Sequence, residues 1–275
     1  MNDLVTYCRL HGILIDSPPP IGYWRRYPTE DHPNSRNGAV KYMGTHAFVQ
    51  NWATGTEVAV WHADELKPDD VVRIQKQAND AEAQRQKQGK EAASKAAWIL
   101  DQCQFGRHDY LKAKGFPEEQ GNVWAFNGQQ LLVIPMRSDG HLVGVQLIDQ
   151  VGGKKFLSGQ RTSGAEFVFN NKGMHVLVEG YATALSIRLA LSQLKRRYTL
   201  HVCFSAGNMV KVAARLPAGV VIADNDTSGT GERVAKQIGW PYWMSDVEGE
   251  DANDTHRRLG LFKFSQSLTR SVVIL

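Results

Sequence analysis

Cysteine is scarce in this chain: Cys8, Cys103 and Cys203 lie far apart and form no CxxC pair. That spacing argues against a cysteine-built zinc module, so no zinc is expected. An odd, sparse count also fits a reducing compartment, and a cytoplasmic location is expected. Long apolar runs are missing too; none approaches the roughly 18–20 residues of a membrane span. The first residues lack a basic-then-apolar signal pattern, and no membrane partner is expected. Neither charge sign dominates. The 32 Lys and Arg against 28 Asp and Glu leave a net charge of +4. That balance permits a nucleic-acid partner without arguing for one.

What is present changes character along the 275 residues, a length that holds one large or two modest domains. Residues 1–67 are rich in Pro, Gly, Trp and Tyr, with turn signals at SPPP (17–20), HPNSRNG (32–38) and ATGT (53–56). The runs YMGTHAFVQNW and EVAVWH between them read as antiparallel strands of a small β-rich leader. Trp24, Trp52, Trp61 and Tyr42 stand there among Arg25, Arg26, Arg36 and Lys41. Such aromatics either form the core of a small β domain or stack on bases, and both readings stay open.

Residues 68–104 turn to Gln, Lys, Ala, Glu and Asp. Pro68-Asp69-Asp70 is a helix start, and AEAQRQKQGKEAASK shows no apolar stripe, so a solvated helical linker broken or softened near Gly89 is expected. In residues 105–173, LLVIPM (131–136) and HLVGVQLID (141–149) flank the turn Arg137–Gly140 and predict a hairpin. GGKKFLSGQ and AEFVFN continue that strand-and-turn rhythm.

From 174 to 275 the pattern becomes regular α/β alternation. Strands are predicted at 175–178, 200–205, 219–223 and 241–245, and helices at 181–195, 208–216 and 229–238. Such alternation implies an α/β fold with a mainly parallel sheet and flanking helices. Glu179-Gly180 closes the first strand, and Asp224-Asn225-Asp226 closes the third, with Gly229 just beyond. Alone, a Glu-Gly pair is a helix cap and Asp and Asn start turns. Together, carboxylates at two strand ends sit where open α/β sheets place their ligand crevice. They would repel one another without a cation, and hard oxygen ligands suit Mg²⁺ or Mn²⁺. The arrangement reads as a metal-dependent phosphoryl-transfer site.

EGY before a helix, then DND..G after a strand, resembles the Toprim domain of bacterial-type primases, type IA and type II topoisomerases and some nucleases. HDYLKAKGF (108–116), LLVIPMRSDGHLVGVQLI and KKFLSG are similar to the segment preceding Toprim in bacterial-type primases and their phage and plasmid relatives. The likeness covers about residues 105–260. EGYATALS carries Thr183 where cellular primases usually have an acid, a form nearest the mobile-element branch.

This resemblance implies a Toprim sheet preceded by an α+β basic subdomain. It implies a DNA primase-like nucleotidyltransferase making short RNA primers on single-stranded DNA from ribonucleoside triphosphates. Glu179, Asp224 and Asp226 would be catalytic and hold Mg²⁺ or Mn²⁺. Asp251 and Asp254, in GEDANDTHRRLG, match the positions of further metal-binding acids, although Asn253 or Asp254 would also cap a helix. Lys112, Lys114, Arg137, Lys154, Lys155, Arg161 and Lys172 would bind template or nucleotide. Lys195-Arg196-Arg197 reads as a favourable helix C-terminus only. The sequence stops soon after the Toprim-like region, so a separate replicative helicase is the expected partner. The rival expectations are a non-catalytic single-strand-DNA-binding replication accessory and a Toprim nuclease.

Overall fold

The structure is a computed structural model that describes residues 3–54, 58–63 and 68–271. It is a mixed α/β protein with three sheets, divided into two compact units, Met1–Lys87 and Gln88–Leu275.

The first unit opens on a helix, α1 (Leu4–Leu10), capped by the Asp3 carboxylate accepting from the Thr6 N–H at 2.8 Å. The cap satisfies one orphan donor of the first turn. Four strands follow, β1 (Trp24–Tyr27), β2 (Gly38–Tyr42), β3 (His46–Asn51) and β4 (Ala59–His62), paired antiparallel in sequential order. In β3, residues alternate between partly buried and fully buried, as a one-faced strand requires. Its buried Ala47 and Val49 join Leu4, Cys8, Ile13 and Val40 in one core. Tyr42 and Trp61 pack on that core, whereas Trp24 and Trp52 remain exposed, Trp52 beneath the Arg26 guanidinium at 3.7 Å. The open question about these aromatics therefore divides by residue. Within the turn signal at 53–56, Gly55 and Thr56 lie outside the described residues.

The second helix, α2 (Pro68–Asp101), runs unbroken through Gly89, contrary to the expected break. One glycine costs only about 1 kcal/mol against alanine, and its neighbours here are strong helix formers. One face of the last turns is not solvated either. Ala92, Ala96 and Ile99 are buried, the latter two in a core with Trp124, Val133 and Val145.

A five-stranded antiparallel meander follows: β5 (Gln104–Gly106), then α3 (Asp109–Ala113), β6 (Gly121–Phe126), β7 (Gln129–Ser138), β8 (His141–Ile148) and β9 (Lys154–Phe156). The hairpin of β7 and β8 falls where the turn Arg137–Gly140 predicts it. The next strand, β10 (Phe167–Asn170), departs from expectation. It leaves the meander and becomes the antiparallel edge of the last sheet.

That last sheet is built from β11 (Met174–Val178), α4 (Tyr181–Gln193), β12 (Tyr198–Val202), α5 (Ala206–Ala213), β13 (Gly219–Ala223), α6 (Thr230–Ile238) and β14 (Tyr242–Met244). Its strand order is β10-β12-β11-β13-β14, and β12, β11, β13 and β14 run parallel. Two further helices, α7 (Ala252–Leu259) and α8 (Leu261–Ser271), follow. One sheet face meets α4 and α8 through Val178, Ile222, Leu185, Leu191 and Phe264. The other meets α5 and α6 through Leu177, Val221, Met209 and Val234. Covering on both faces explains why these strands are nearly continuous apolar runs.

Candidate functional site

The chain leaves β11 through α4 toward β12 on one side, then returns through α5 to β13 on the other side of β11. The connections thus diverge between β11 and β13, and such a switch point opens a crevice at the carboxyl ends of the strands. Register pairs Val178 with Ile222. Glu179 and Asp224 therefore emerge side by side at that crevice, one residue out of step.

Gly180 is the N-cap of α4, and the Phe204 N–H donates to the Glu179 carbonyl at 2.9 Å. Burial raises the Glu179 carboxyl above its ordinary range, while Lys154 and the Ala206 N–H act against the rise. Asp224 is more strongly perturbed. Burial, then the charges of Glu179 and Asp251, push it up to about 7, against the pull of Lys154. Its Oδ1 is buried and has no hydrogen-bond partner. A carboxylate oxygen so placed lacks compensation for lost water.

Asp226 lies on the same rim but is engaged differently. Its Oδ1 accepts from Ser228 Oγ and from the Thr230 N–H at 3.2 Å, and its Oδ2 accepts from the Gly231 N–H at 3.1 Å. Burial alone would raise it, but these hydrogen bonds prevail and hold its carboxyl below the usual range. Asp226 is thus the anchor of the α6 N-terminus. Gly231 makes this possible, because a Cβ there would stand 2.1 Å from the Asp224 carbonyl oxygen. The two glycines of Ser228-Gly229-Thr230-Gly231 are the sequence signal for this close approach. Gly231→Ala is expected to displace the α6 start from Asp224 and cost roughly 1–3 kcal/mol through overpacking. Denaturant titration beside wild type measures that cost, and an unchanged midpoint would contradict it.

Asp251 and Asp254 form a reciprocal capping box on α7. Asp251 Oδ1 accepts from the Asp254 N–H at 2.9 Å, and Asp254 Oδ2 accepts from the Asp251 N–H at 3.4 Å. The cap residue is therefore Asp251, not Asn253 or Asp254. Asn253 is buried and donates to the Lys114 carbonyl at 2.9 Å. Burial still raises the Asp251 carboxyl, and its charge reaches Asp224. Asp254 belongs to the cap.

The basic residues divide as well. Lys154, on exposed β9, acts electrostatically on both Glu179 and Asp224. Lys155 follows it, and successive strand residues point to opposite faces. Lys114 acts on Asp251, and Lys112 lies exposed in the last turn of α3. Arg137 donates to the Gly140 carbonyl at 3.1 Å within its own hairpin, and Arg161 to the Ser163 carbonyl at 3.1 Å. Lys172 lies in the turn before β11, at the amino end of the strand whose carboxyl end carries Glu179. A strand of five residues at about 3.3 Å each separates the two. That excludes Lys172 from the acidic rim.

The donor chemistry suits a hard divalent cation: buried carboxylates, mutual repulsion and one unpartnered oxygen. Among the described residues, however, no three His, Cys, Asp or Glu side chains are gathered into a group able to hold a metal ion. The findings differ because charges interact over longer distances than the 2.0–2.6 Å or so of metal–oxygen bonds. No known protein-family model and no curated protein matches the chain. Among the described residues, no helix is long and apolar enough to cross a membrane.

Proposed function

We propose that this protein is a primase-like nucleotidyltransferase with a Toprim-type sheet, joining ribonucleotides into short primers on single-stranded DNA. The observation that carries the reading is the position of Glu179 and Asp224. They close adjacent parallel strands at the switch point, with the Asp224 oxygen buried and unpartnered. Glu179 and Asp224 would hold Mg²⁺ or Mn²⁺, with Asp251 adding negative charge from the α7 cap. The cation, when bound, would neutralise triphosphate charge during displacement at the α-phosphorus. Asp226 keeps the α6 N-terminus beside Asp224, and Lys154 supplies a positive charge for phosphate. In the reaction, a primer 3′-hydroxyl oxygen bonds to the α-phosphorus, its proton passes to solvent, and the bond to pyrophosphate breaks.

A second reading, a non-catalytic single-strand-DNA-binding replication accessory, is favoured by the ungathered acids and by the capping roles of Asp226 and Asp254. One assay separates these readings. Purified protein is incubated with single-stranded DNA, labelled ribonucleotides and Mg²⁺ or Mn²⁺. Templated oligomers support the polymerase, template cutting supports a nuclease, and binding without either supports the accessory. A helicase partner belongs to the polymerase reading alone.

The basic edge gives a separate expectation. Lys154→Ala should flatten the salt dependence of DNA binding by about 0.7 in log–log slope, the increment for one single-strand phosphate contact. Lys155→Ala, on the opposite strand face, should change it less. Titrations at several salt concentrations test this; equal slopes for wild type and Lys154→Ala would remove Lys154 from the DNA path.

A further inference from the structure

The edge of the meander farthest from Lys154 carries exposed rings that the acidic rim does not use. Trp98 is 54% exposed, Phe105 72% and Phe126 46%. They flank a cavity of about 450 Å³ beside the edge strand β5. Trp124 forms its inner support, only 6% exposed, with its ring stacked on Phe126 at 4.4 Å and 23° and edge-on to Trp98 at 6.0 Å. Packing on Trp124 therefore fixes the Trp98 and Phe126 rings while part of their area stays in water. Leaving this much aromatic surface exposed forgoes burial energy, so it calls for an occupant.

The surrounding chemistry selects the occupant. Exposed Gln102, Gln104 and Gln130 line the cleft, and their amides carry both donors and acceptors, although Gln102 also donates to the Asp101 carboxylate at 3.4 Å. An apolar helix docked there would bury those amides unpaired, whereas a nucleobase has a flat π-face for the rings and polar edges for the amides. Arg107 lines the same cleft, and exposed Lys95 stands one helical turn before Trp98. Arg107 is ion-paired with Glu118, and Asp101 is exposed in the same stretch, so net local charge is small.

We propose that this cleft binds unpaired bases of single-stranded DNA by stacking on Trp98, Phe105 and Phe126. It deepens the polymerase reading, because the bound strand would be the template, but the binding stands without catalysis. Stacking supplies the affinity and phosphate pairing contributes little. The cleft and Lys154 consequently have different salt signatures.

The test uses the full chain and a labelled oligothymidylate of about 12 nucleotides, within the usual range of single-strand site sizes. Anisotropy is measured at several salt concentrations, with tryptophan fluorescence read in parallel. Wild type should bind with quenching. Trp98→Phe keeps a ring and should keep binding with less quenching. Trp98→Ala and Phe105→Ala should each weaken binding about 5- to 100-fold, the range for losing one base–aromatic stack, with an unchanged salt slope. Phe105 is largely exposed on an edge strand, so its variant tests binding without disturbing a core.

Wild-type affinity in both alanine variants overturns the proposal. So does a loss accompanied by a flatter slope, equal competition by duplex DNA, or quenching that follows protein self-association instead of added DNA. Primer synthesis is scored on the same samples. Stacking-dependent binding without synthesis sinks only the polymerase reading, and synthesis with unchanged binding in the alanine variants sinks only the cleft.

Discussion

Asp224→Asn is expected to stabilise the protein at pH 8, leave it unchanged near pH 3, and abolish ribonucleotide joining. The sign follows from proton linkage. Burial and the neighbouring carboxylates raise Asp224 to about 7 from an ordinary 3.8. Between those values the folded state holds a proton that the unfolded chain releases, so stability falls as pH rises. Below the lower value both states are protonated and the difference vanishes. At one pKa unit per about 1.36 kcal/mol, the variant should gain on the order of a few kcal/mol at pH 8. Thermal melts at pH 3, 5, 7 and 8 measure it. Catalysis should fall at least about a hundredfold, the scale of losing one electrostatic contact to a reacting group. A variant less stable than wild type at pH 8 would show that Asp224 is held by something other than repulsion.

The second large effect concerns divalent cations. At pH 8, saturating Mg²⁺ or Mn²⁺ should raise the unfolding free energy by about 2.7 kcal/mol at a hundredfold excess over Kd. Because Asp224 titrates near 7 and Glu179 also lies above its ordinary range, a bound cation must displace protons as pH falls. The stabilisation should therefore shrink through pH 7 and be small at pH 5.5. It should be absent from Asp224→Asn at any pH, whereas Asp254→Asn should retain it, since Asp254 serves the α7 cap. Melts with and without cation decide this. An equal shift in Asp224→Asn would locate the ion elsewhere.

The parallel sheet was legible because its strands are unbroken apolar runs followed by helices that bury one or more faces. Val220 to Ala223 is read directly as a buried strand, and β13 is found at Gly219–Ala223. The acids at its end follow from the same reading. Their division of labour does not, since an aspartate that caps a helix and one left without a partner are the same residue type. Only coordinates separate Asp226, bonded to the Gly231 N–H, from Asp224, with a bare oxygen. The buried end of α2 leaves little trace in the sequence because two of its buried residues are alanines, Ala92 and Ala96, which give little hydropathy signal. Lys172 is near Glu179 in sequence, yet β11 carries the chain from one end of the sheet to the other between them, which sequence proximity does not reveal. The aromatic cleft draws on residues 98, 105 and 126, which no local window brings together.

The most direct test of the central claim compares ribonucleotide joining by wild type and Glu179→Gln on one single-stranded template, with Mn²⁺ varied. The account predicts short oligomers complementary to the template in wild type, rising with Mn²⁺ to saturation, and at least about a hundredfold less product from the variant. Oligomers made equally well by Glu179→Gln, or none from wild type at any Mn²⁺ concentration, would contradict it.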